Sequence, residues 1–141
     1  MNIIICLDDK NGLLFNRRRQ SRDNVLCERV VALSSESSLW MNEYSASLFS
    51  AESVKVDSDF LDKAGEGDYC FIENVDFTPY LNKIERIIIY RWNRVYPSDT
   101  VFDDSVLTSR TLMESTDFAG FSHEKITEEI YEWQSWNRLD W

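Results

Sequence analysis

Residues 79–103 read PYLNKIERIIIYRWNRVYPSDTVFD, and within them Ile87-Ile88-Ile89-Tyr90 is an unbroken run of β-branched and aromatic side chains. A strand with one wet face alternates apolar and polar residues. A run that is apolar at every position is buried on both faces. Such a strand belongs at the centre of a sheet that has helices on either side. The residues before it, Val75 to Asn82, read as a short helix broken by Pro79. Those after it, around Asp99-Thr100, read as a turn.

Working outward, Asn2 to Leu7 is a second central strand. The turn Asp8-Asp9-Lys10-Asn11-Gly12 follows it, with Asn-Gly supplying positive φ, and Leu13 to Phe15 is a short returning strand. Arg17, Arg18, Arg19 and Arg22 are expected to form a loop. Ser21 or Asp23 then caps a helix whose apolar positions, Val25, Leu26, Val30 and Leu33, share one face. Leu39-Trp40-Met41 is a buried strand, and Asn42 caps a brief helix through Tyr44, Leu48 and Phe49. Val54 and Val56 suggest a further strand. Asp57-Ser58-Asp59 caps a helix of one or two turns, and Tyr69 to Ile72 is again a strand. Leu107 to Met113 reads as a strand and Phe118 to Phe121 as a turn. Ile126 to Trp133 fits both helical and strand spacing, and its glutamates favour a helix.

These elements predict an α/β sandwich in one domain, residues 1–133, followed by a Trp-rich tail, residues 134–141. The 141 residues suffice for a real core, and 43% hydrophobic content excludes a disordered chain. No apolar run approaches the roughly 20 residues of a membrane span, and the short apolar start lacks the features of a leader. Cys6, Cys27 and Cys70 are an odd set without metal-ligand spacing, as expected for buried free thiols in a reducing cytoplasm. The single histidine, His123, excludes a multi-histidine metal site. It has no nucleophile elbow around it and reads as a surface residue near a turn. No Gly-rich phosphate loop is present among the four glycines.

A formal net charge of −10 argues against a nucleic-acid ligand and suits a basic protein partner. The acids concentrate at Asp57, Asp59, Asp62, Glu66, Asp68, Glu73 and Asp76, and again at Glu124, Glu128, Glu129 and Glu132. Trp136 and Trp141 either cover the edge of the core or wait for a partner, and the cost of wet aromatics favours the first.

The order of elements resembles the dihydrofolate reductase fold. Asn2 to Leu13 is similar to that family's first strand and Asp/Asn-Gly turn. Leu39-Trp40-Met41 resembles its second nucleotide-side strand, and Tyr69 to Ile72 the strand before its cofactor loop. Lys83 to Ile89 matches the next strand, and Ser98-Asp99-Thr100-Val101-Phe102 resembles the Gly-Asp-Thr-Phe-Phe that follows. The resemblance implies a three-layer sandwich on a mixed, mostly parallel sheet with a C-terminal antiparallel hairpin. On it, 126–133 is a strand. It also implies that Asp23 lies near the pteridine-binding carboxylate, although a helix cap is the plainer role for this residue. The chemistry is less well preserved. Glu73-Asn74 stands where the family has the Gly-Gly pair that admits a pyrophosphate. Asn42-Glu43-Tyr44-Ser45 replaces its Gly-Arg-Lys-Thr, and Tyr90 replaces a small hydroxyl residue. Acids at phosphate subsites oppose NADPH, so no cofactor is expected.

Three functional readings follow. The first is a non-catalytic acidic binding protein, in its concrete form an antitoxin or immunity-type protein neutralising a basic bacterial toxin domain. It would use Asp57, Asp59, Asp62, Glu66, Asp68, Glu73, Trp136 and Trp141 as contacts. The second is a divergent NADPH-dependent pteridine reductase using Asp23. The third is an anion site at Arg17, Arg18, Arg19 and Arg22, against which stands simple solvation or pairing with nearby acids.

Overall fold

The structure is a computed structural model that describes residues 1–134. Trp136 and Trp141 lie outside the described residues. In chain order the elements are β1 (Asn2–Leu7), β2 (Gly12–Phe15), β3 (Arg18–Arg19), α1 (Asn24–Leu33), β4 (Leu39–Met41), α2 (Glu43–Ala46), β5 (Lys55–Val56), α3 (Phe60–Lys63) and β6 (Tyr69–Phe71), then β7 (Arg86–Arg91), β8 (Thr100–Val101), β9 (Arg110–Phe118) and β10 (Ile126–Trp133).

Seven strands form one sheet in the order β5-β4-β6-β1-β7-β10-β9. Its first five strands are parallel, and β10 and β9 close it as an antiparallel hairpin. As the isoleucine run requires, β7 is central. Ile87, Ile88, Ile89 and Tyr90 are all fully buried. Successive side chains point to opposite faces. Ile3, Ile5, Ile87 and Ile89 therefore meet Phe60 and Leu61 of α3 on one face. On the other face Ile4, Ile88 and Tyr90 meet Leu26 and Val30 of α1. This is the expected three-layer sandwich. Full burial of Leu26 and Val30 stabilises the docking of α1 by roughly 1.5–3 kcal/mol per side chain.

Several expectations are corrected. The arginine segment is not a loop: β2 and β3 form a hairpin with Phe15 opposite Arg18. Its tip, Asn16-Arg17, has φ of 52° and 63°, the positive values that a type I′ turn requires at both positions. The turn expected at Asp99-Thr100 is a bend at Asp99 alone, and Thr100–Val101 is the strand β8, paired with β2 in a second small sheet, β3-β2-β8. Pro79 does not break a helix; it opens the 3-10 turn Thr78–Lys83, where its missing N–H costs nothing. Leu107 ends another 3-10 turn, Asp104–Leu107, capped by Asp103 on the Ser105 amide, and the strand starts only at Arg110.

The glutamates of residues 126–133 stand in a strand, against local propensity, because each has a basic partner. Glu128 is buried, takes a two-pronged bond from Arg29 of α1 (2.7 and 3.1 Å) and accepts from the Tyr90 hydroxyl (2.7 Å). Glu129 pairs with Arg91, and Glu132 with Arg86 directly across the ladder. Tertiary pairing overrides propensity here. Replacing Glu128 with Ala leaves Arg29 and the Tyr90 hydroxyl without their acceptor, and we expect a loss of about 3 kcal/mol in urea unfolding.

Candidate functional site

β1 and β6 are adjacent and parallel, but the chain leaves them in opposite directions. After β1 it passes through the β2-β3 hairpin to α1 on one face. After β6 it goes to the 3-10 turn on the other face. Their C-terminal ends therefore open a crevice, the place where open α/β sheets bind ligands. Cys6, Ser21, Asp23, Cys27, Glu73 and Trp92 line it.

The crevice is filled by its own side chains. Arg19, carried on β3, gives Glu73 a bidentate bond from Nε to Oε2 (2.8 Å) and from Nη2 to Oε1 (3.0 Å). Ser45 Oγ of α2 donates to the same Glu73 Oε1 at 2.8 Å. Arg19 Nη2 also reaches the Tyr44 carbonyl (3.1 Å), its amide donates to the Tyr44 hydroxyl (2.8 Å), and its guanidinium lies 4.4 Å above that ring. One residue further on, Asn42 Nδ2 donates to Asn74 Oδ1 at 2.8 Å. The loop after β4 and the loop after β6 are thus tied to each other, with Arg19 across both. The space left for water-sized molecules is ≈ 20 Å³, about one water.

Asp23 anchors the other wall. It is the N-cap of α1, accepting from the amides of Val25 and Leu26, as the sequence suggested. The same carboxylate accepts from the amides of Phe121 (2.9 Å) and Ser122 (2.9 Å), from the Ser122 hydroxyl (3.2 Å), and from His123 Nδ1 (2.9 Å). Gly120 permits the approach, because a Cβ there would sit 2.6 Å from Asp23 Oδ2. Burial alone would raise the Asp23 carboxyl. The bonds from Phe121, His123, Ser122 and Leu26 outweigh it and hold the pKa well below the ordinary carboxylate range.

His123 is not a surface residue. It is 5% exposed and stacked on Trp92, with ring centroids 4.6 Å apart. The hydroxyls of Ser21 (3.0 Å) and Tyr96 (3.1 Å) lie against its Nε2. With Asp23 at Nδ1, the ring's Nε2 faces both hydroxyls. Carboxylate, imidazole and hydroxyl are in the order of a nucleophilic triad. The amides of Val25 and Leu26, which could stabilise an oxyanion at the start of α1, are taken by Asp23 instead. The arrangement is a clamp that fixes the β9–β10 loop to the head of α1. Only the short spacing between Gly120 and His123 hints at it in the sequence, since Asp23 and His123 are 100 residues apart.

The other candidate residues are scattered. Arg17 and Arg18 are exposed; Arg22, also exposed, lines the mouth of the crevice, and Arg19 lies within it. Asp68 accepts from the Ser38 and Gly65 amides and from Trp40 Nε1. Asp57 pairs with Lys63, Asp62 accepts from the Tyr80 hydroxyl, and Asp59 and Glu66 are exposed. Glu43 is exposed in the first turn of α2. Cys6 and Cys27 are partly buried and Cys70 fully so; all are free, and burial pushes the Cys27 thiol up to about 11 and that of Cys70 to about 12. Thiols so raised are poor nucleophiles at neutral pH. Among the described residues no cluster of His, Cys, Asp or Glu is suited to a metal ion, and no helix is long and apolar enough to cross a membrane.

Removing either partner of the crevice ion pair strands the other. We expect Arg19→Met and Glu73→Leu each to cost about 2–4 kcal/mol in urea unfolding, and the double variant to cost less than their sum. The Asp23 clamp contributes stability that is present above the unfolded-state pKa of about 3.9 and is lost as pH falls toward the lower folded value. The urea midpoint of Asp23→Asn, already lower at neutral pH, therefore falls less steeply than that of the parent between about pH 5 and pH 3.

No family model and no curated protein matches the chain. Among solved structures it is similar to dihydrofolate reductase from Enterococcus faecalis complexed with NADP(H) and RAB-propyl. Sequence identity is 10% and the TM-score 0.68, over 95% of this chain and 96% of that one. At that identity the likeness is one of fold, and residue roles do not transfer with it. A nicotinamide dinucleotide does not fit the residues present. The loop after β6 places the Glu73 carboxylate in the crevice, and Asn42–Asn74 and Ser45–Glu73 bind together the two loops that a pyrophosphate would have to part. The chain has a dihydrofolate reductase-like fold, with its crevice occupied by its own side chains.

Proposed function

We propose that this chain is a non-catalytic binding protein on a reductase-like scaffold, and that its partner is a basic protein. The observation that carries this reading is the crevice. Arg19, Glu73, Tyr44 and Ser45 take up the space in which such a fold would hold reactants. Reduction of a pteridine would ask Asp23 to face a planar ring in a dry pocket. Both Asp23 oxygens are instead committed to α1 and to the β9–β10 loop.

The net charge of −10 supports a basic partner, because opposite fields accelerate encounter. Of the acids considered from sequence, Asp59, Asp62 and Glu66 are exposed on and beside α3 and are the contacts retained here. Asp68 and Glu73 are bonded internally. An antitoxin or immunity-type role against a basic toxin domain is the narrower form of this proposal. A reducing, cytoplasmic setting belongs to it, supported by three free thiols.

The test is affinity capture on the immobilised full chain at about 50 mM salt, with elution at about 500 mM. A basic protein should be retained, and Asp59→Lys/Asp62→Lys/Glu66→Lys should weaken its binding at least about tenfold. Recovery of no basic partner, or binding indifferent to the charge reversal, overturns the proposal.

A further inference from the structure

A second hollow adjoins the crevice, sharing Leu13 and Glu73 with it, on the face of the sheet that carries α3. The segments 73–78 and 100–106 form it, and Val75, Phe77, Phe102 and Val106 make its walls. Its volume is ≈ 360 Å³, within the range of ligand pockets and far larger than the ≈ 20 Å³ left in the crevice. The Phe77 and Phe102 rings are stacked with centroids 6.2 Å apart, so an aromatic pair backs the hollow. Val101, at its rim, is 58% exposed.

The charge around it is of one sign. Glu73, Asp76 and Asp103 border it, and among the described residues no Lys or Arg does. Glu73 is neutralised by Arg19. Asp76 and Asp103 are exposed and have no such partner among the described ion pairs. Hydrogen bonds from Thr78 and from Ser105 lower their pKa values, so both carboxylates stay charged into the acid range. An anionic ligand is repelled, and a neutral apolar one leaves the carboxylates unmatched. A side chain with an apolar stem and a cationic, planar head matches both parts. The stem lies along the valines, and the guanidinium meets the carboxylates in fork geometry or stacks on the rings.

We infer that this apolar, acid-rimmed hollow is the docking site for an arginine-bearing segment of a basic protein partner. The inference rests on the proposed binding function and gives it an anchor point. Beyond the hollow, Tyr80 of the following 3-10 turn donates to Asp62 of α3 at 2.8 Å. A partner seated here would bury its arginine among the apolar walls and meet Asp76 and Asp103 at the edge, an arrangement of central anchor and polar rim.

The experiment is fluorescence anisotropy on the full chain with a fluorescein-labelled Leu-Arg-Leu-Arg-Leu-Arg peptide at about 50 mM salt, and with its Glu-for-Arg counterpart. Binding tighter than about 50 µM is expected for the arginine peptide and none for the glutamate one. The variant Asp76→Asn/Asp103→Asn keeps the acceptor oxygens that hold Thr78 and Ser105, and its circular dichroism should match the parent. It should bind the peptide at least about tenfold more weakly. Asp59→Asn/Asp62→Asn should change the affinity less than about threefold. No binding of the arginine peptide, or equal binding by parent and Asp76/Asp103 variant, overturns the assignment. If binding is lost instead on changing Asp59 and Asp62, the acidic face is the contact and the hollow is not. In that case the proposed binding function stands without this anchor.

Discussion

The bidentate contact between Arg19 and Glu73 is the constraint on which the top of the molecule depends. It joins a hairpin after β1, the start of α2 and the end of β6, and all the space between them closes around it. The pair is largely shielded from water, with side-chain exposures of 20% and 10%, so its attraction is little screened and neither charge can be left alone cheaply. Tyr44 and Ser45 complete the donors and acceptors around it. The ion pair and its neighbours are bonded to one another, while Gln20 Oε1 on the crevice wall is buried without a partner.

The Asp23 clamp does the corresponding work on the far wall. It fixes the head of α1 to residues 121–123, while the Arg29–Glu128–Tyr90 network fixes the middle of the same helix to β7 and β10. The first long helix is thus bonded to the C-terminal hairpin at two points. These buried polar groups are fully partnered, which is the condition for such networks to specify one arrangement. The apolar hollow backed by Phe77 and Phe102 adjoins this locked crevice.

Much of the architecture was legible in the sequence because it follows from local patterns. The run Ile87–Tyr90 announced a central strand, Asn42 and Asp23 announced helix caps, and the order of elements matched a known scaffold. What was not legible depends on contacts between distant residues. The β2-β3 hairpin has Asn-Arg, not Asn-Gly, at its tip, so its turn chemistry was hidden. Residues 126–133 contain glutamates that disfavour a strand, until Arg29, Arg86 and Arg91 are placed beside them. His123 looked like a surface residue because its partners, Asp23, Ser21, Tyr96 and Trp92, all lie far from it in sequence. Glu73 was visible as an acid in the wrong place for a phosphate. That Arg19 would be its partner was not, since nothing in the basic cluster distinguishes Arg19 from its neighbours except the alternation of the hairpin, which turns it inward.

The account makes one central claim: Arg19 and Glu73 hold the reductase-like crevice shut, from which we propose that it takes no dinucleotide. Fluorescence titration with NADPH tests it most directly, because Trp92 lies in the crevice and reports on its contents. The parent chain should show no saturable change up to about 1 mM NADPH, whereas saturable binding in the micromolar range would contradict the claim.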